Sequence, residues 1–201
     1  MKILLTGCSS GLGKALHDLL RHNHDVHSLS RNDLDLSDAN SVVNYQVAIY
    51  DMVIHCAGTG IGGKLPFNNH CTQAVKDIVS TNLLAPVLLT NKLLQQNPDC
   101  KVVCVTSTNN KHYYPNDLAY SLSKASLSVF LKMLAVDHPQ LKYLEIQLGL
   151  TKTEFNNNRY KKDMDRFVDI YQYPHLDATY VAEQINQVLF NNHIKFIEIS
   201  P

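Results

Sequence analysis

The chain has 201 residues, a length that suits one domain with one substantial core. Its 18 Lys and Arg balance its 18 Asp and Glu, so no overall field draws it to nucleic acid or to an anionic membrane. Five cysteines without a Cys-x-x-Cys pair read as reduced, buried thiols of a cytoplasmic protein, and the ten histidines are scattered, so no metal site is expected.

The first residues, Met1 to Leu5, run into a glycine turn too soon for a signal peptide, and no stretch reaches membrane-spanning length. Ile3-Leu4-Leu5 reads as a short strand buried on both faces, and Leu12, Ala15, Leu16, Leu19 and Leu20 mark a helix after it. Between them lies Thr6-Gly7-Cys8-Ser9-Ser10-Gly11-Leu12-Gly13. Glycine permits a tight turn at Gly7, a close backbone approach at Gly11 and close helix-to-strand packing at Gly13. Free N–H groups at the helix start, with the positive end of its dipole, make a seat for a pyrophosphate. A glycine-rich turn without a ligand is the plainer alternative.

Val26 to Leu29 reads as the second strand, followed by Ser30-Arg31-Asn32. Where a fold that prefers NAD would carry an acid for the ribose 2′-hydroxyl, this chain has Ser30 and Arg31. Arginine pairs with a 2′-phosphate, which favours NADP(H) over NAD(H), against a solvated surface arginine. Ser37 is a candidate N-cap for a helix through Val47. Little room remains between Arg31 and Asp35 for a helix and a full strand, so the third strand is expected to be short or missing.

Asp51 to Cys56 is another buried strand, and the glycine-rich loop Thr59 to Phe67 is expected to line a site. A long helical pattern runs from about Thr72 to Gln96, with Pro86 imposing a bend or boundary near Asn82. Lys101 to Ser107 is a strand with a polar tip, which places Ser107 at a carboxyl end, where open parallel sheets bind ligands. A helix capped by Asn116 or Asp117 carries Tyr120 and Lys124 at i and i+4, so a phenol and an ammonium share one face. A fixed positive charge nearby favours the phenolate, which suits proton transfer near neutrality. Alone, this pair is a weak signal. Tyr143 to Leu148 is a further strand, and Glu154 to Pro174, polar and aromatic, is a lid or partner surface. A helix from about Asp177 to Phe190 and a strand from Ile194 to Ile199 end the chain. Strands and helices alternate without repeat or linker, so the expected architecture is α/β, one parallel sheet with helices on both faces.

Taken together, Thr6-Gly7-x-x-x-Gly11-x-Gly13, Asp35, Cys56-Ala57-Gly58, Asn82, Ser107, Tyr120-x-x-x-Lys124 and Gly149-x-x-x-Thr153 resemble, in order, the short-chain dehydrogenase/reductase family. Ser107 precedes Tyr120 by thirteen residues, as in classical members. The resemblance implies a doubly wound Rossmann fold in three α/β/α layers, spanning 1–201 as one NAD(P)-binding domain with 154–175 as the substrate lid.

It also implies an oxidoreductase that interconverts a small-molecule carbonyl and alcohol. Tyr120 would be the acid or base. Lys124 would lower its pKa and bind the nicotinamide ribose, Ser107 would position the substrate oxygen, and Asn82 would hold a relay water. Gly7, Ser9, Ser10, Gly11, Leu12, Gly13, Arg31, Asp35, Leu36, Cys56, Ala57, Gly58 and Thr153, with Tyr120 and Lys124, would contact the cofactor, Asp35 at the adenine and Thr153 at the carboxamide.

His55-Cys56-Ala57-Gly58 stands where the family has Asn-Asn-Ala-Gly, and Leu148-Gly149 where it has Pro-Gly. The contraction after Arg31 is similar to the extended, sugar-nucleotide branch, whose large C-terminal domain this chain lacks. A homodimer or homotetramer is implied, through apolar faces around Asn82–Gln96 and Leu118–Val136. The alternative to an enzyme is a dinucleotide-binding sensor or regulator that uses Glu154–Pro174 to meet a partner.

Overall fold

In β1 (Lys2–Thr6), neighbouring side chains point to opposite faces, and both faces are buried. Ile3 and Leu5 join one hydrophobic cluster and Leu4 the other, which requires helices above and below the strand. The computed structural model describes residues 1–61, 65–112, 114–159 and 169–201.

Its elements follow as α1 (Gly11–Leu20), β2 (Asp25–Leu29), α2 (Ala39–Asn44), β3 (Met52–His55), α3 (Thr72–Val79), α4 (Ala85–Gln96), β4 (Lys101–Ser107), α5 (Leu118–Asp137), β5 (Tyr143–Leu148), β6 (Thr151–Lys152), α6 (Phe155–Arg159), β7 (Leu176–Asp177), α7 (Ala178–Leu189) and β8 (Phe196–Ile199). Six strands form a parallel sheet in the order β2-β1-β3-β4-β5-β8. One face is covered by α1 and α7, through Leu16, Leu20, Ile185 and Leu189. The other is covered by α4 and α5, through Leu89, Leu93, Leu127 and Leu131. The expected α/β sheet with helices on both faces is therefore the observed fold.

β2 is the edge, and no strand lies between it and β3 in sequence. The short run after Arg31 explains this, since after Leu29 the chain has room for a turn and the six residues of α2 before it returns to the sheet. The edge is polar: Asp25, His27 and Ser28 are exposed, which discourages pairing with another strand.

Several local expectations change. Asp38, not Ser37, caps α2, its carboxylate accepting from Asn40 N at 3.0 Å, because Ser37 gives both its N–H and its hydroxyl to Asp35. That helix ends at Asn44 rather than Val47. The Lys92 ammonium takes the carbonyls of Val42, Val43 and Tyr45 at its end, and Tyr45 turns extended. The 72–96 pattern is not one helix: a π-turn, Ser80–Leu84, separates α3 from α4, and Ala85 N reaches back five residues to Ser80 O. Pro86 has no N–H for the carbonyl of Asn82, which is why the ladder breaks here.

Among the cysteines, Cys100 and Cys104 are buried and Cys8 and Cys56 partly so, but Cys71 is exposed, because it sits just before α3 instead of on its inner face. A small parallel pair, β6 with β7, brackets the 154–175 segment and was absent from the sequence reading. Parts of that segment, 160–168, and of the Thr59–Phe67 loop, 62–64, lie outside the described residues.

Candidate active site

The carboxyl ends of β1, β3 and β4 meet the start of α5, and most of the singled-out residues gather there. Thr6 ends β1. Its hydroxyl accepts from the N–H groups of Cys56 and Ala57, at 3.2 and 3.1 Å, and so fixes the turn after β3 against the turn after β1. Gly7 has φ +79°, and a Cβ there would stand 2.7 Å from the Ala57 Cα. At Gly13 a Cβ would come within 2.0 Å of the Gly7 carbonyl oxygen, so only glycine lets α1 approach β1 this closely. Ser10 caps α1 without a side-chain hydrogen bond, which leaves the helix start free of a side-chain acceptor. These are the properties a pyrophosphate seat requires. Gly11 in turn lies against Thr153, whose side chain would be 3.0 Å from a Cβ there, so the far cofactor-binding candidate is brought onto the phosphate turn by β6.

At the end of β2, Arg31 is exposed. The Ser30 N–H and hydroxyl both donate to the Asp33 carboxylate, at 2.9 and 2.6 Å, and these bonds hold that carboxyl below its usual range. Asp35 is likewise held low by Ser37. Leu36 is half-buried and packs against the cluster under α4.

Tyr120 stands in the first turn of α5, half-buried, and its phenol lies toward the Ser107 hydroxyl at the end of β4. Ser107 Oγ also accepts from Asn109 N at 3.2 Å. Lys124, one turn on, is 4% exposed. Its ammonium donates to the Val105 carbonyl at 2.9 Å and faces the bare backbone of Gly58, where a Cβ would lie 3.5 Å from Nζ. Burial pushes Lys124 down from its ordinary pKa.

Asn82, fully buried in the π-turn, clamps the Gly58–Thr59 turn. Its Oδ1 accepts from Thr59 N at 2.8 Å, and its Nδ2 donates to Thr59 O and to Ser123 Oγ, both at 3.0 Å. The tertiary fold thus gathers Asn82, Ser107, Tyr120, Lys124 and Cys56-Ala57-Gly58 in one place. Arg31, Asp35 and Leu36 stand apart from them, at the β2 end of the sheet.

The charge pattern differs from the sequence reading. Burial raises the Tyr120 phenol above its ordinary value of 10.0, the Arg159 guanidinium opposes the rise, and Asp117 adds to it. Arg159, at the end of α6, lies with its guanidinium carbon 5.4 Å from the Tyr120 ring centre and is paired with Asp117. Asp117 makes no side-chain cap for α5, because its carboxylate serves Arg159 and Asn109 Nδ2, the latter at 3.0 Å. Phe155 stacks 5.5 Å from Tyr120. Sequence reasoning missed Arg159, Asp117 as its partner, and Phe155 as its neighbour; the available signal was an arginine near aromatics in the lid segment, which Arg166 beside Phe167 shares.

Among the described residues no group of three or more His, Cys, Asp or Glu could hold a metal ion, and no helix is long and apolar enough to cross a membrane.

Residues 34–164 match the short chain dehydrogenase family. Among curated proteins, benzil reductase ((S)-benzoin forming) of Bacillus cereus is 24% identical, covering 93% of both chains. The short chain dehydrogenase helC of Aspergillus fumigatus is 27% identical over 51% of this chain, which spans 42% of that relative's length. Among solved structures, a closed form of serine dehydrogenase complexed with NADP+ superposes with a TM-score of 0.84 at 20% identity, covering 99% of this chain and 94% of that one. A 4-hydroxyisoleucine dehydrogenase complexed with NADH gives 0.81 at 18%, covering 100% and 97%. At these identities the structural likeness is one of fold.

Proposed function

The chain belongs to the short-chain dehydrogenase family of NAD(P)-dependent oxidoreductases, and from that premise we propose that it reduces the carbonyl group of a small molecule to an alcohol, or runs the reverse, with NADP(H) as cofactor. The observation that carries this reading is the placement of Tyr120 beside Ser107 at the carboxyl end of β4, one helical turn from the buried Lys124.

The cofactor, when bound, supplies or accepts the hydride. Negative charge then develops on the substrate oxygen during reduction, and Tyr120 and Ser107 offer hydrogen-bond donors where it appears. Tyr120 gives its proton to that oxygen, or takes it back in oxidation. Lys124, facing Gly58, would hold the cofactor ribose. The clamp that Asn82 makes on Thr59 fixes the turn that Lys124 faces, and in this reading Asn82 would hold the relay water.

NADP(H) is supported by Arg31 at the end of β2; Asp33 on the Ser30 donors is the feature against it. A cytoplasmic location is the reading that the free cysteines support. Association into a homodimer or homotetramer is supported by α5, whose Leu118, Leu122, Val129, Met133 and Val136 share an exposed stripe.

The test is NADPH oxidation across a panel of aldehydes, ketones and quinones, with Tyr120→Phe beside the wild type. The variant is expected to bind NADPH as before and to lose about 10²- to 10⁴-fold in turnover. Equal turnover removes Tyr120 from the mechanism.

A further inference from the structure

Arg159 and Asp117 form an ion pair that is almost fully withdrawn from water, with side-chain exposures of 6% and 2%. Burying such a pair is costly and in general a poor source of stability. The two residues come from separate elements, Arg159 from α6 and Asp117 from the residue that precedes α5. Their meeting point is the Tyr120 ring, with the guanidinium carbon 5.4 Å from its centre and the Phe155 ring 5.5 Å from it. Asp117 is held on its other oxygen by Asn109, the residue that also donates to Ser107. Arg159 Nε is buried and has no partner among the described residues, and it packs against Gly60, in the turn after β3. The pair therefore has a defined placement beside the Tyr120 ring.

We propose that Arg159 is a positioning residue for Tyr120: docked through Asp117, it sets a positive charge against the phenol, so that the segment after β6 supplies charge to proton transfer as well as a wall to the substrate site. The proposal rests on the reading of Tyr120 as the acid or base.

Among the described residues, the charged groups disposed around Tyr120 are Arg159 from α6 and, on its own helix, Asp117 and Lys124, the last turned to the Val105 carbonyl; β4 contributes the uncharged Ser107. Arg159 and Asp117 act on the phenol in opposite senses. The cation favours the phenolate and the carboxylate disfavours it. A purely structural ion pair behaves otherwise, since breaking it from either side damages the same contact.

The experiment compares Arg159→Gln, Arg159→Lys and Asp117→Asn with the wild type. It reads the pH at which kcat/KM for alcohol oxidation reaches half its plateau and, without any substrate, the tyrosinate absorbance titration of NADP-bound protein referenced to Tyr120→Phe. Arg159→Gln is expected to move both midpoints up by about one pH unit, Asp117→Asn to move them down, and Arg159→Lys to stay near the wild type. Midpoints that shift in the same direction for Arg159→Gln and Asp117→Asn, or that do not shift, overturn the proposal. If Tyr120→Phe keeps full turnover, the acid/base reading fails by itself, and the absorbance titration still decides whether Arg159 sets the charge at Tyr120.

Discussion

Asn82 and Ser123 are hydrogen-bonded side chain to side chain at 3.0 Å, and this bond ties the π-turn between α3 and α4 to α5 one residue before Lys124. The same amide closes two bonds on the Thr59 backbone.

Asn82→Ala should therefore act on stability as well as on turnover. It leaves the partly buried Thr59 N–H and carbonyl without their partner and takes a donor from the buried Ser123 hydroxyl, which keeps its bond to the Tyr120 carbonyl, at a cost of about 1–3 kcal/mol for each group that water does not reach. Urea unfolding is expected to show a loss of roughly 2–4 kcal/mol. A loss below about 0.5 kcal/mol means that the clamp is dispensable.

Cofactor choice is expected to depend on two neighbours of opposite sign. Arg31→Ala should weaken NADPH far more than NADH. Asp33→Asn should do the reverse, because it removes a carboxylate from the Ser30 N–H and hydroxyl that a 2′-phosphate would otherwise meet. Isothermal titration with both nucleotides checks this, and equal effects on the two nucleotides would exclude the β2 end as the discriminating site.

His55 is fully enclosed, with Nε2 at 2.9 Å from the Thr90 hydroxyl, and burial, helped by the Lys124 charge, pushes its pKa down to about 3. Its unfolded value is about 6.5, so the unfolded chain binds the proton more readily than the folded one. The contribution to stability is complete above pH ~6.5 and is lost as pH falls toward 3, at about 1.4 kcal/mol per pH unit. His55→Gln should remove that much acid dependence between pH ~6 and ~4 in denaturant titrations; an unchanged slope shows that His55 is not the group responsible.

On α5, Leu122 and Met133 are 55% and 63% exposed on the apolar stripe. The wild type is expected to sediment as a dimer or tetramer, and Leu122→Asp combined with Met133→Glu to leave a folded monomer by sedimentation equilibrium. A wild-type chain that is already monomeric at high concentration ends this assignment.

Much of the architecture was legible because parallel sheets are buried on both faces and leave continuous apolar runs. Lys101–Ser107 was placed to the residue for that reason; Tyr143–Leu148 was also placed to the residue, although Glu145 and Gln147 interrupt its apolar run. The missing third strand could be read from chain length alone. The ends of α2 could not, since they depend on Ser37 turning to Asp35 and on Lys92 arriving from α4. Pro86 signalled a disturbance near Asn82, but the form it takes, a π-turn whose amide clamps Thr59, needed the packing of α5.

The linear sequence by itself determined the order of elements, the glycine turn between β1 and α1, and the spacing that sets Tyr120 beside Lys124. These are local matters of apolar period, backbone freedom and helical repeat. Only the tertiary structure decided which charge faces the phenol. Lys124, one turn along the helix, donates to the Val105 carbonyl, and Arg159, distant in sequence, joins it by lying against the ring with Asp117. The reason is physical: burial makes every charge find a partner, and the partners within reach are set by how α5, α6 and the sheet pack, which no run of neighbouring residues specifies.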